Sequence, residues 1–187
     1  MTLTVITPPA EAPVSLDEAK DHLRIGHEAE DDHVLRLVEA ASDRLETAAG
    51  LALVTRTLRR TYRQWPARLL GRGHLLRPMP VSRLTGVSLN EPDRPEEDIT
   101  ARFRLDGGRL SLRPWSMLPP VPADGTAAIL FEAGFAGTAA GVPSDLKLAV
   151  LMLVTDGYER GRTPSRRADS LPETVRDILA ARREVRL

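Results

Sequence analysis

Residues 28–50, EAEDDHVLRLVEAASDRLETAAG, carry the clearest helical pattern of apolar residues in the chain. The elements on either side are assigned outward from this helix. The first turn is acidic, which suits the positive end of a helix dipole. Gly50 follows as a natural C-terminal cap. We therefore predict a helix over Glu28–Ala49. Its apolar residues recur at alternating spacings of four and three, the period of one helical face, and they are Val34, Val38, Ala41, Leu45 and Ala48.

A shorter helix is predicted just upstream. Ser15 and Glu18 have the spacing of a capping box, in which each side chain bonds the backbone N–H of the other residue. Leu16, Ala19 and Leu23 fall on one face, and Gly26 marks the expected end. Residues 1–14 are polar and Pro-rich and predict an extended N-terminal arm.

Residues 51–135 change character and predict a mostly antiparallel β region. Their β-branched and aromatic residues favour strands. Gly and Pro residues between these stretches predict turns and loops. Phe103–Leu112 is predicted to be a hairpin that turns at Asp106-Gly107-Gly108. The other predicted strands lie within Leu51–Trp65, Val81–Leu89 and Thr126–Phe135.

Helix returns over residues 136–187. The segment that opens at Pro143-Ser144-Asp145 is apolar on all sides, which predicts a helix that is covered all round. Either its own chain or another subunit could cover it. Ser170-Leu171-Pro172-Glu173 is predicted to be a second capping box that opens the final helix.

These elements predict an α+β fold. Two N-terminal and two C-terminal helices form a helical bundle, and the β region is inserted between them. The expected organisation is an arm (1–14), N-terminal helices (15–50), a β region (51–135), and C-terminal helices with a tail (136–187). Residues 13–179 are expected to form one domain.

Composition excludes several classes of protein. The 187 residues are 42% hydrophobic and 28% charged, which is ordinary for a soluble globular chain. There is no Cys, so disulfides, thiolate metal sites and thiol nucleophiles are excluded. No apolar stretch is long enough to span a membrane, and the first ten residues do not read as a signal peptide. We expect synthesis in the cytoplasm.

The charge is balanced overall but unevenly spread. Met1–Val54 holds eleven acidic and four basic residues, whereas Arg160–Leu187 holds eight Arg and four acids. Such asymmetry indicates either two faces that meet different partners or ordinary solvated helix surface.

The search for catalytic chemistry yields no site. His22, His27 and His33 lie among carboxylates, but no pair has the i, i+4 spacing of a helical zinc site. There is no nucleophile elbow and no phosphate-binding loop. The sequence therefore predicts no catalytic residue, metal or cofactor, and the protein is expected not to be an enzyme.

A small DNA-binding or regulatory protein is the alternative. The C-terminal Arg cluster is positively charged, and DNA phosphates attract positive charge. The two N-terminal helices superficially resemble a helix-turn-helix. The would-be recognition helix, however, opens with four acids, and phosphates would repel it.

The whole chain resembles the phage head–tail connector (adaptor) family, in the β-inserted type found in prophages and gene transfer agents. The order and spacing of several stretches carry the resemblance. These stretches are Pro13–Arg24, Glu30–Asp32, Gly50–Thr57, Gln64–Pro66, Leu76–Val81, Phe131–Phe135, Val142–Lys147, Tyr158–Arg160 and Leu171–Val175.

The resemblance implies a structural subunit at the head–tail junction of a phage or phage-like particle. Such subunits form a homo-oligomeric ring, expected to be dodecameric, on the portal protein. The ring extends the DNA channel without sequence-specific binding and meets the next tail or stopper component, and no membrane is involved.

The final helix and tail are the expected portal-binding element, because an amphipathic pattern coincides with the terminal Arg excess. The alternative is that this helix only packs on its own subunit. The expected apolar anchors are Val175, Ile178 and Leu179, and the expected charge contacts are Arg176, Arg182, Arg183 and Arg186.

Overall fold

A computed structural model describes residues 1–162 and 171–182, without the side chains of 160–162. The α-helices are α1 (Leu16–Leu23), α2 (Asp31–Ala49), α3 (Ser144–Arg162) and α4 (Glu173–Ala181). The strands are β1 (Thr2–Thr7), β2 (Arg56–Tyr62), β3 (His74–Leu75), β4 (Val81–Asn90), β5 (Glu97–Asp98), β6 (Phe103–Asp106), β7 (Arg109–Leu112) and β8 (Thr126–Ala133). This mixture of helices and antiparallel sheet confirms the predicted α+β class.

The chain divides into two compact units. A sheet unit combines Met1–Ala10 with Thr55–Gly134, and a helical unit combines Glu11–Val54 with the chain from Phe135 onward. The N-terminal segment, expected to be an extended arm, therefore contributes strand β1 to the sheet unit.

The helical unit begins with the predicted capping box. The Glu18 N–H donates to the Ser15 hydroxyl at 3.1 Å, and the Ser15 N–H donates to the Glu18 carboxylate at 2.9 Å. At the end of α2, Gly50 adopts a φ of 66° and its N–H donates to the Glu46 carbonyl. Both predicted caps are confirmed.

The core of the helical unit is built from the predicted apolar faces. Val34, Val38 and Leu45 of α2 are buried. They belong to one cluster with the buried face of α3, and Leu53 and Val54 close it. The buried α3 residues are Leu146, Ala149, Val150, Leu153 and Val154. The chain itself therefore covers most of the apolar surface of α3, although Leu148 remains exposed.

The sheet unit holds two antiparallel sheets. The larger has the order β1-β2-β8-β4-β5, and the smaller has the order β3-β7-β6. Phe131 of β8 lies between Leu58 of β2 and Leu84 of β4, so these side chains share one face of the larger sheet. The predicted hairpin forms β6 and β7.

A polar contact joins the two sheets. The hydroxyl of Tyr62 in β2 lies 2.8 Å from Nε2 of His74 in β3. Burial lowers the pKa of His74, and the neighbouring Arg60 and Arg68 lower it further. The imidazole is therefore neutral near pH 7, and its hydrogen bond with the tyrosine hydroxyl joins β2 to β3.

Three predicted helix boundaries were wrong. The second helix begins at Asp31 and not at Glu28, because Glu30 is its N-cap. The first helix ends at Leu23 and not near Gly26, because Arg24 takes a φ of 59° and its N–H returns to the carbonyls of Lys20 and Asp21. The final helix begins at Glu173, with Pro172 and not Ser170 at its N-cap. Ser170 itself lies outside the described residues.

Candidate assembly surfaces

The predicted portal-binding residues lie in α4 and just after it. Val175 is completely buried in the core of the helical unit, and Ile178 and Leu179 pack partly buried against that core. Arg176 is exposed. Arg183 and Arg186 lie outside the described residues. The structure thus places the three apolar residues on the inner face of α4 and Arg176 on its outer face.

Arg182 fixes the end of α4. Its Nε and Nη2 atoms each donate to a carboxylate oxygen of Asp145 at 2.5 Å. The guanidinium also lies 5.8 Å from the centre of the Phe135 ring, within the range of a cation–π contact. The hydrogen bond from Arg182 lowers the pKa of Asp145. Arg182, which was expected to contact the portal, is therefore bonded within its own subunit.

A second ion pair joins α1 to α3. The Lys147 ammonium donates to the Glu18 carboxylate at 2.8 Å, while the other oxygen of Glu18 serves the capping box. The bond from Lys147, followed by that from the Ser15 backbone, lowers the pKa of Glu18. One carboxylate thus caps α1 and ties it to α3.

The acidic segment before α2 also serves the helical unit. The Lys20 ammonium donates to Asp31 at 2.6 Å, and the Tyr158 hydroxyl donates to Glu30 at 2.7 Å. His33 packs against the Tyr158 ring at 6.1 Å between centroids. Within the described residues, no group of three or more His, Asp or Glu side chains could hold a metal ion.

Strand β1 forms an exposed edge of the larger sheet. All six of its residues are exposed, among them Leu3, Val5 and Ile6. Strand β1 contains no charge and no Pro, the features that usually prevent an edge strand from pairing with another chain. The opposite edge is β5, which is only two residues long and acidic. Strand β1 is therefore suited to an interface.

A Pro-rich loop over residues 113–122 presents the most exposed aromatic side chain in the described part of the chain. Trp115 is 103% exposed and Met117 is 82% exposed. Sequence reasoning treated this segment as a loop and missed Trp115. The available signal was a Trp directly after Pro114, in a segment where turn residues rather than core residues are expected.

The exposed apolar side chains of these surfaces suit assembly. Within residues 1–162 and 171–182, every helix is too short or too polar to span a bilayer. Two shallow pockets lie along the helices of the helical unit. The features that stand out are exposed apolar side chains and a docked, Arg-bearing C-terminal helix.

Comparisons with known proteins agree with this. The family model described as Phage gp6-like head-tail connector protein matches residues 13–69. A chain from the virion of a native gene transfer agent (GTA) particle superposes with a TM-score of 0.81 at 29% identity, covering all of this chain and 97% of that one. The chain is similar to this connector family over residues 13–69 and to the GTA chain over its whole length, which supports a structural connector subunit. No curated protein matches the chain.

Two structures of GTA necks give the same result. The neck of an empty particle, computed with C6 symmetry, matches the connector with a TM-score of 0.81 and 29% identity. The neck of a native particle, computed with C12 symmetry, matches with a TM-score of 0.79 and 27% identity. In both cases the match covers all of the connector and 97% of the other chain. These matches confirm the predicted structural role at the head–tail junction of a phage-like particle, and none supports the DNA-binding alternative.

Proposed function

We propose that the connector assembles as a ring of identical copies, twelve in number, on the portal protein. The ring extends the DNA channel toward the tail and offers its far surface to the next tail or stopper component. The full-length match to a neck computed with C12 symmetry is the observation that carries the proposal. The role is mechanical, with no catalytic step, and DNA passes without base-specific contacts.

The exposed surfaces support a subunit that is completed by its neighbours. A ring needs heterologous interfaces, in which one patch meets a different patch on the next copy. The uncharged edge of β1 and the exposed loop residues Trp115 and Met117 provide such patches.

The C-terminal helix is proposed to contact the portal. Val175, Ile178 and Leu179 hold the inner face of α4 against the helical unit. This packing leaves Arg176 exposed on the outer face, and Arg183 and Arg186 follow α4 in the sequence. The apolar anchors of the sequence prediction therefore act by orienting the helix, and the Arg side chains supply the contact.

Truncation tests this contact without disturbing the described structure. A chain that ends at Arg182 keeps α4 and the Arg182–Asp145 pair but lacks Arg183 and Arg186. We expect it to fold normally and to be lost from portal-containing particles. A matched variant, Arg94→Glu, reverses an exposed charge in the sheet unit and should join particles normally. If the truncated chain enters particles at the wild-type level, the proposed contact is wrong.

The ring itself is tested by imaging and mass spectrometry of purified particles. We expect the connector in every particle, in a stoichiometry that equals that of the portal or a simple multiple of it. A monomeric connector at the neck, or its absence from particles, would contradict the proposal.

A further inference from the structure

Trp115 occupies a backbone position that disfavours it. The Ser116 N–H donates to the Arg113 carbonyl at 3.2 Å, which closes a β-turn with Pro114 and Trp115 at its centre. Trp115 has a φ of 65°. A turn with Pro first and a positive φ second is a type II turn, in which Gly or Asn is the favoured second residue. A bulky side chain at this φ is strained.

The strain has no compensation within the subunit. Trp115 is 103% exposed, so the indole gains no burial from the fold. Glycine would relieve the backbone and remove apolar surface from water. A residue that is unfavourable for folding on both counts points to a role in binding, because exposed Trp side chains are frequent anchors of protein interfaces.

The loop that carries Trp115 is fixed at its base. The indole N–H of Trp65 donates to the Pro119 carbonyl at 2.7 Å. Arg113 donates through its Nε to the Phe103 carbonyl at 2.9 Å, and Arg102 donates to the Met117 carbonyl at 3.3 Å. Such a loop presents Trp115 in a defined position, which lowers the entropy lost on binding.

The same chain carries a groove that suits an indole. This α2 groove has a volume of about 360 Å³ and mostly apolar walls. It can offer the aliphatic surface of Ala48 and Leu171 for ring packing and the Asp43 carboxylate for the indole N–H. The Arg44 guanidinium, which pairs with Asp156 at 3.3 Å, can add a cation–π contact through its face. Its lining residues are Asp43, Arg44, Thr47, Ala48 and Leu171.

We propose that Trp115 of one copy inserts into the α2 groove of the neighbouring copy. Trp115 and the α2 groove are different surfaces of the same chain. The contact is therefore heterologous and continues from copy to copy until a ring closes. The inference rests on the proposed ring and names the contact that holds it together.

The first test separates binding from folding. Trp115→Gly should leave the melting temperature of the isolated connector unchanged or raise it, because the turn favours glycine. The same variant should weaken association between copies by at least about tenfold, the effect of removing a Trp anchor. Filling the groove with Ala48→Trp, at an exposed position, should weaken association equally, and the double variant should be no worse than either single one.

The second test locates the contact in assembled particles. The chain has no natural Cys, so Ser116→Cys with Thr47→Cys gives only the intended thiols. A short bis-maleimide should then link copies into a ladder of covalent oligomers. The control pair, Ser116→Cys with Arg36→Cys, uses an exposed site on the same helix about 16 Å from Thr47 and should give no ladder.

The outcomes distinguish this contact from the ring itself. If the connector is present in particles but Ser116→Cys links to another protein, or to no protein, the Trp115 contact is overturned while the ring stands. If the connector is absent from particles, both proposals fail. A melting temperature that drops by several degrees in Trp115→Gly would show that Trp115 serves the fold and would also overturn the inference.

Discussion

Arg182 and Asp145 form a two-pronged ion pair in which both N–O distances are 2.5 Å. Asp145 lies in the first turn of α3, and Arg182 follows the last turn of α4, so the pair ties the end of one helix to the start of the other. Both side chains are more than a third exposed, which limits the energy of the pair through solvent screening.

The first prediction concerns this pair. Asp145→Asn should lower the free energy of unfolding of the connector by about 0.5–1 kcal/mol, as expected for an exposed pair with good geometry. Chemical denaturation measures the change. Arg182→Ala should give a similar loss, and the double variant should lose no more than either single one. Additive losses would show that the two side chains act independently.

The second prediction concerns acid. The pKa values of Glu18 and Asp145 are lowered in the folded chain by Lys147 and Arg182, from usual values of 4.5 and 3.8. A carboxyl with a lowered folded pKa gives stability that is complete above its unfolded pKa and is lost as pH falls through the folded one. The melting temperature should therefore fall by a few degrees as pH drops below about 4, because solvent screens both pairs. Lys147→Met should flatten part of that slope, and an unchanged slope would contradict the assignment.

The third prediction separates the two faces of α4. Val175→Ala opens a cavity in the core and should cost about 1–3 kcal/mol of unfolding free energy. Arg176→Glu changes an exposed side chain and should alter stability by less than about 0.5 kcal/mol while weakening attachment to portal-containing particles. Thermal unfolding and particle incorporation measure the two effects. Normal incorporation of Arg176→Glu would remove Arg176 from the proposed portal contact.

The fourth prediction compares two glycines in the helical unit. Gly50 has a φ of 66° at the end of α2, so Gly50→Ala should cost about 1 kcal/mol. Gly26 has no positive φ and no atom within 4 Å of an added Cβ, so Gly26→Ala should be neutral or slightly stabilising. Equal effects of the two substitutions would contradict the assignment of the helix ends.

The helix ends show which structural features local sequence can predict. The capping box at Ser15 and the glycine cap at Gly50 were predicted because each depends on residues within one turn of chain. The end of α1 was not, because Arg24 takes the left-handed conformation without being glycine or asparagine. The start of α4 was also wrong, because Pro172 and not Ser170 occupies the N-cap.

The candidate surfaces also depend partly on local sequence and partly on tertiary packing. The amphipathic pattern of α4 predicts an apolar and a basic face, but it does not say what the apolar face touches. The structure packs Val175 into the subunit's own core and leaves Arg176 exposed, while Arg182 pairs with Asp145. Trp115 was missed, because an aromatic residue in a loop gives no periodic pattern and its exposure depends on how the loop is fixed.

The sequence by itself determined the α+β class, the apolar stripe of α2, the apolar character of α3, the hairpin and two of the helix caps, because each follows from contacts between near neighbours in the chain. The ordered resemblance of its segments also indicated the connector family. Only the tertiary structure decided that β1 joins the sheet as an exposed edge, that Arg182 binds Asp145, and that Trp115 faces solvent. These features join residues far apart in the chain, and their burial and pairing exist only once the chain is folded.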